Sequence, residues 1–575
     1  MSTLTGRAAA PGVALAPTFR IEPPAAAAPV PSTRTGPVDD EVARLDAALA
    51  TARAQLEELA ERVAAAVGEE EGEIFEAHAE FAADPELRSQ AVQEITAGAS
   101  AERGAITAFD RFRELLRGSS SELLAARATD LDDVRDRVVA LLQGRDVAVP
   151  VPPTRSVVVA EELTPSQTAS LPRELIAALV TETGSPTSHA AILARSLGIP
   201  AVVAVDGLLA AVADGDELAV DGRTGEVVVR PDPDHRAAVT KRLAEEDQRR
   251  TELAALRDEP GRTADGRHVE VAANIGSADD LPVAVEAGAQ GSGLVRTEFL
   301  FQDRRTAPSV ADQVGFYTQV LRAFPGHRVV FRTMDVGADK PLPFVHREPE
   351  ENPALGLRGI RLHLSRAELL HDQLRALLRA KAQLADGSAG RLAVMFPLVS
   401  VVDELRRARA ALEQVAAEED VDLADVEVGV MVEVPSAALG ADRLAAHADF
   451  LSIGTNDLLQ YLFAADRLQA GVAHLADVCH PDVLALIGRV VAAGHAQGAW
   501  VGVCGEAASD PTVAAALVGL GVDELSMTRV AIPEVKDRLR RLTTQQCADA
   551  VAGALDEAED GAGVRAYLEA ALTEA

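Results

Sequence analysis

Cysteine, aromatic side chains and positive charge are all scarce in this chain of 575 residues. The three cysteines, Cys479, Cys504 and Cys547, are widely scattered. That spacing excludes a disulfide framework and a paired-cysteine metal knuckle, and it fits a reducing, cytoplasmic location. Aromatics make up 3% of the residues, so the cores must be filled by Ala, Val and Leu. No run of about 20 apolar residues occurs, which excludes a membrane-spanning helix. The opening segment, MSTLTGRAAAPGVALAPTFR, lacks a basic start followed by a long apolar stretch, so no signal peptide is read. Lys and Arg number 55 against 89 Asp and Glu, a net charge of −34. Nucleic acid as a partner is disfavoured, because phosphate neutralisation needs a surplus of cations. Anionic lipid would be repelled. Acidity of this kind serves solubility, or attraction to a partner with a basic face.

What is present divides the chain. At roughly 100–200 residues per domain, about three domains are expected, or two if one is a large barrel. Residues 1–20 read as a strand piece. Residues 38–146 are charged and rich in Leu and Ala. Their apolar residues recur at intervals of three and four, the spacing of amphipathic helices. VAVPVPPT breaks that pattern. From Ser156, short β-branched runs bounded by Gly, Pro and Asp surround one helical stretch, SHAAILARSLG. The first strand piece would be orphaned unless it joins this later sheet. A helical domain (31–146) inserted into an α/β domain (1–30 and 147–232) follows, then a charged linker helix (233–261). Residues 262–575 alternate strand and helix. Eight strand candidates, HVEVAAN, GSGLVRT, RVVFRTMD, LRGIRL, RLAVMFPLV, VEVGVMVEV, DFLSIGTND and AWVGVCGE, predict a TIM barrel, whose chemistry sits at the C-terminal strand ends.

Those ends carry a distinctive set. Arg296-Thr297-Glu298 closes the second candidate, Arg332-Thr333-Met334-Asp335 the third, and Arg358 sits at the fourth. Glu433 ends the sixth and Asn456-Asp457 the seventh, with Arg467 shortly after; Cys504-Gly505-Glu506 ends the eighth. Four arginines at one mouth repel each other unless a multiply charged anion sits among them, and the guanidinium fork suits phosphate and carboxylate. Glu433 and Asp457 supply two hard oxygen ligands, as Mg²⁺ commonly takes from protein. Rim ion pairs account for any one of these residues, but not for the whole set. Cys504 is either a small buried hydrophobe or a proton donor to a carbanion-like carbon. A second site lies at TETGSPTSHAAILARSLG. There Thr187 and Ser188 precede His189 at a helix start, where free N–H groups favour phosphate and neutral imidazole is a nucleophile; Ser188 as a helix cap with an incidental histidine is the other reading.

Together these segments resemble enzyme I of the bacterial phosphoenolpyruvate:sugar phosphotransferase system. The match covers nearly the whole chain. TSHAAILARSLGIPA looks like the family's phosphohistidine signature. GLVRTEFLF, FRTMDVGADK, EENPALGLRGIR, GVMVEVPSAA, FLSIGTNDLLQY and VCGEAASDP look like its barrel motifs in the family's order. The resemblance implies a swivelling phosphohistidine domain with a helical insert, then a phosphoenolpyruvate-binding barrel that forms a homodimer. It implies that His189 is phosphorylated through Nε2. Arg296, Arg332 and Arg467 would hold phosphate and carboxylate, with Arg358 nearby. Asn456 and Asp457 would contact substrate, Glu433 and Asp457 would bind Mg²⁺, and Cys504 would protonate the enolate to pyruvate. The insert would dock the small histidine-containing phosphocarrier protein through segments 73–81 and 125–137. Phe75, Phe81 and Leu131 are candidate anchors, with Phe75 and Phe81 read equally well as helix core, and Asp130, Asp132 and Asp133 would form its acidic rim.

Two departures stand out. Ser185, followed by Pro186, stands in place of the second of the paired glycines that usually precede Thr-Ser-His. Gly337-Ala338-Asp339-Lys340 replaces Gly-Gly-Asp-Lys. Neither removes a reactive group. A phosphoenolpyruvate dikinase or water dikinase would need a nucleotide-binding domain for which the chain has no room. The nitrogen-regulatory relative would carry an extra N-terminal sensory domain. A catalytically silent scaffold would not need His189, Cys504, Glu433 and Asp457.

Overall fold

The computed structural model describes the chain apart from residues 22–29, 67–68, 118–129, 146–149, 187, 303, 305, 337–341, 343, 346–349, 385–388, 467–468, 470 and 574–575. It divides into two compact units, Met1–Gln248 and Arg249–Ala575.

In the first unit eight strands form one sheet. They are β1 (Ser2–Thr5), β2 (Arg7–Ala10), β3 (Val13–Arg20), β4 (Ser156–Ala160), β5 (Ile176–Thr181), β6 (Ala201–Val203), β7 (Glu217–Asp221) and β8 (Glu226–Val229). Their order is β1-β8-β7-β3-β4-β5-β6-β2. The two outermost strands are separated in sequence by Gly6 alone, so the sheet must curl until its edges meet. A Cβ on Gly6 would fall 2.6 Å from the Val203 carbonyl oxygen, which is why no side chain stands there. Both faces of the central strands are covered. Val157 and Val159 pack into one apolar cluster, Val158 and Ala160 into another, and the continuous Val run of β4 is the consequence.

Between β3 and β4 the chain forms the helices Val38–Ala66, Glu69–Ala83, Pro85–Thr96, Ala101–Arg117 and Asp130–Leu142. Leu45, Leu56, Phe75, Phe109, Leu131 and Val134 make their shared core. This corrects the docking anchors read above: Phe75 and Leu131 are buried and hold the helices together. Only Phe81 remains partly exposed at the margin of that core. The acidic rim is also partly neutralised. Asp132 pairs with Arg113 and Arg135, and Asp133 accepts the Ser166 N–H at 3.1 Å. The Asp130 side chain lies outside the described residues. Leu193, from the helix His189–Ser196, joins the same core, so the candidate acceptor helix packs on the insert.

One helix, Pro233–Ala254, carries the chain across the boundary between the units, and none of its residues is buried. In the second unit a closed parallel barrel forms from β9 (Glu270–Ile275), β10 (Ser292–Val295), β11 (Arg328–Arg332), β12 (Arg391–Phe396), β13 (Glu427–Val432), β14 (Phe450–Ile453), β15 (Trp500–Val503) and β16 (Glu524–Met527). Two elements differ from the expectation. LRGIRL is not a strand. Arg358 is extended, Gly359 turns at φ +52°, and the chain enters the helix Gly359–Ser365. The eighth strand is ELSM, 524–527, downstream of every candidate. Its Leu525 and Met527 join the outer core with the helices. Its Glu524 and Ser526 face Gly293 within the barrel, where a Cβ would fall 2.3 Å from Glu524 Oε1. A strand with polar residues inside a barrel lacks the apolar run that marks its neighbours. Accordingly Glu433 follows the fifth strand, Asn456 and Asp457 the sixth, and Cys504 the seventh.

The N-terminal end of the barrel is closed by charge. Arg328 pairs with Glu270 at 2.6 Å and Glu427 at 3.0 Å, and lies 4.0 Å over the Trp500 ring, which stacks on Phe450. Cys504, Met431, Met395 and Val330 fill the interior above it.

Candidate active site

At the opposite end, the C-terminal ends of the strands bring charged side chains into a space from which water is largely removed. Arg332, the last residue of β11, meets Glu298 at 3.1 Å and Asp335 at 3.5 Å. Arg358 forks onto Asp335, with Nε to Oδ1 at 3.1 Å and Nη2 to Oδ2 at 2.7 Å. The same Nη2 reaches Asp457 Oδ2 at 3.1 Å, while Nη1 donates to the Tyr461 hydroxyl at 3.1 Å. Tyr461 in turn donates to the Ala354 carbonyl at 2.5 Å. Asp457 and Tyr461 stand one turn apart on the helix Thr455–Leu462, so one element supplies both contacts. Glu433 accepts the Leu398 N–H at 2.6 Å.

Oxygen atoms of Asp335, Glu433 and Asp457 all lie within 4.8 Å of one another, and all three residues are buried. Burial pushes the Glu433 carboxyl well above its usual range, and the Asp335 and Asp457 charges add to this against the pull of Arg332 and Arg358. Burial acts the same way on Asp335, but the two arginines outweigh it and hold that carboxyl below the usual range. Both arginines are held firmly protonated: burial opposes their charge, and the carboxylates overcome it, Glu298 first for Arg332 and Asp335 first for Arg358. With Glu298 included, four buried carboxyl groups face two guanidinium groups, more acid than the arginines can pair, and Glu433 is the group driven toward its protonated form. A divalent cation with a preference for oxygen would take up that surplus, so the residues present fit a metal.

Cys504 is 2% exposed, and its sulfur lies 3.8 Å from the Ile453 carbonyl oxygen. Burial pushes its thiol up to about 11, so near neutral pH it carries its proton. Arg296 follows β10 and is exposed. Asn456 Nδ2 reaches Glu506 Oε1 at 3.5 Å. Arg467 lies outside the described residues. Sequence reasoning quoted Asp335 without giving it a role and passed over Tyr461; the available signals were the acid three residues after Arg332 and the phenol four after Asp457.

In the first unit, Ser188 caps the helix His189–Ser196, its hydroxyl accepting the Ala191 N–H at 3.3 Å. Gly184 turns the preceding loop at φ +106°. Arg195 ties this helix to the Ala9 carbonyl. Thr187 and the His189 side chain lie outside the described residues. Among the described residues no helix is long and apolar enough to cross a membrane.

Three family models match successive parts of the chain: the N-terminal domain of PEP-utilising enzymes over residues 5–127, their mobile domain over 152–225, and their PEP-binding domain over 250–544. Among curated proteins, one from Haloferax volcanii is 47% identical over 88% of this chain and 88% of its own length. One from Lactococcus lactis subsp. lactis is 40% identical over 98% of this chain and 99% of its own length. One from Streptomyces coelicolor is 45% identical over 86% of both. Each is named phosphoenolpyruvate-protein phosphotransferase.

Proposed function

The chain belongs to the phosphoenolpyruvate-protein phosphotransferases, the enzyme I family of the phosphoenolpyruvate:sugar phosphotransferase system, and from that premise we propose how its residues divide the reaction. The observation that carries the proposal is the packing of Asp335, Glu433 and Asp457 against Arg332 and Arg358. The arginines pair with carboxylates of the protein itself. A phosphate and a carboxylate arriving together offer them better anions, and Arg296 and Arg467 extend the same grip. Asn456 contacts the substrate beside them. Glu433 and Asp457 would hold Mg²⁺, which when bound neutralises the phosphoryl oxygens. His189 attacks phosphorus through Nε2, the bond from phosphorus to the enol oxygen breaks, and enolpyruvate leaves. Cys504 gives its proton to the methylene carbon, making pyruvate, and recovers a proton from solvent. Protonation at carbon draws the transfer forward. Phosphorylated His189 then passes its phosphoryl group to the histidine-containing phosphocarrier protein, docked on the helical insert.

We assign the enzyme to the cytoplasm, where phosphoenolpyruvate is available. A homodimer through the barrel unit is supported by apolar side chains left in water: Leu355, Val401 and Leu439 are 62%, 53% and 59% exposed. Their segments are joined, since Arg361 donates to the Leu355 carbonyl and the Ser400 hydroxyl, and Ser436, on the same short helix as Leu439, donates to the Ser400 carbonyl. Incubation with ³²P-phosphoenolpyruvate and Mg²⁺ tests the assignment. One acid-labile, base-stable label is expected, absent from His189→Ala. Label retained by that variant would show that another residue is the acceptor.

A further inference from the structure

Behind the arginines lies a buried amide that touches none of them. Gln373, on the helix Ala367–Ala382, is fully buried. Its Oε1 accepts the Met334 N–H at 2.9 Å, and its Nε2 donates to the Thr297 hydroxyl at 2.9 Å and the Tyr317 hydroxyl at 3.0 Å. Thr297 passes the bond on, donating to the Arg332 carbonyl at 3.0 Å. Thr297 stands between Arg296 and Glu298, and Met334 stands one residue before Asp335. One side chain therefore ties the loop after β10 to the loop after β11. The two loops are tied a second time at their charged ends, where the Asp335 N–H donates to Glu298 at 2.7 Å and Glu298 holds Arg332.

The chemistry of the amide matters. It offers an acceptor on one arm and two donors on the other, and this pocket uses all three. A carboxylate would have no donor for Thr297, and an apolar side chain would orphan the Met334 N–H in a dry environment. We infer that Gln373 is a positioning residue for the phosphotransfer: it sets the spacing of Arg296 and Arg332 and so the grip on the anionic substrate. This rests on the site reading given above.

The test compares Gln373→Met, Thr297→Val and Tyr317→Phe in the full chain, with Arg332→Met as the reference. Met preserves volume, Thr297→Val breaks the same bridge from its other end, and Tyr317→Phe removes the arm that reaches neither loop together with the Tyr317 bond to Gln313. KM for phosphoenolpyruvate and kcat are read separately, with Tm beside them. Gln373→Met and Thr297→Val are expected to raise KM about tenfold, the equivalent of about 1.4 kcal/mol, with kcat changed less than about threefold. Tyr317→Phe should leave KM within about twofold. A Gln373→Met enzyme with lowered Tm but KM within twofold of wild type would overturn the inference and leave Gln373 as packing alone. If Arg332→Met also left KM unchanged, the site reading itself would fall and this inference with it.

Discussion

Replacing Glu433 by Gln should make the protein more stable and less able to work. The substitution is isosteric. Its carbonyl oxygen can still accept the Leu398 N–H that Glu433 accepts at 2.6 Å, so the backbone contact survives. What disappears is a carboxyl that must either carry a third negative charge among oxygens lying within 4.8 Å of one another or keep a proton that the unfolded chain releases. At an effective dielectric of about 20, two like charges at that separation repel by about 3.5 kcal/mol. Glu433 faces two such neighbours, Asp335 and Asp457, and is attracted in return by Arg332 and Arg358, whose effect is the smaller. Because the carboxyl can take up a proton instead of enduring that repulsion, the relief near neutral pH is capped at about 3 kcal/mol. For a unit of this size that is roughly 2–5 °C in Tm. The assay is thermal unfolding in excess chelator and again with Mg²⁺. In chelator, Glu433→Gln should melt above wild type. Added Mg²⁺ at about a hundred times Kd should stabilise wild type by about 2.7 kcal/mol. It should hardly move the variant, which should also fail to form pyruvate. A variant that melts below wild type in chelator would show that the arginines outweigh the acidic neighbours. An undiminished response to Mg²⁺ would remove Glu433 from the metal site.

Three further outcomes are expected. Cys504→Ala should still bind phosphoenolpyruvate but form pyruvate at least a hundredfold more slowly, the lower range for a lost general acid, with loss of hydrogen exchange at the pyruvate methyl. Because burial lifts the thiol to about 11, its donor form persists at lower pH and is lost only as pH rises through that value; a thiol-dependent activity limb near pH 8 would contradict this. At the barrel floor, burial and then the Glu270 charge push Glu524 up to about 8. The folded state keeps a proton that the unfolded chain releases from about pH 4.5, so this contribution is full below 4.5 and is lost as pH rises through 8. Glu524→Gln should flatten that part of the Tm against pH curve, and an unchanged slope would refute the account. Leu439→Asp should shift the protein toward monomer in sedimentation velocity at micromolar concentration; an unaltered sedimentation coefficient would exclude this face from the dimer.

The sequence alone determined the order of the chemistry. Each reactive side chain sits in a short run beside a strand or helix start, so Arg332, Glu433, Asp457 and Cys504 could be picked out from short apolar runs and the residues that end them. The closed barrel was legible for the same reason, since most of its strands are apolar runs flanked by turn residues. Tertiary structure decided what such runs cannot encode. LRGIRL is a short run of apolar and basic residues that reads as a strand, yet Gly359 takes a left-handed turn that starts a helix. ELSM looks polar, yet it is a strand whose Glu524 and Ser526 point into the barrel. Phe75 could be read as docking anchor or helix core and Leu131 as an anchor, and packing decides that both are core. Asp335 and Gln373 are ordinary polar residues in one dimension. Their importance arises because folding brings them within 3 Å of groups tens of residues away, where dehydration makes every unpaired charge or hydrogen bond costly.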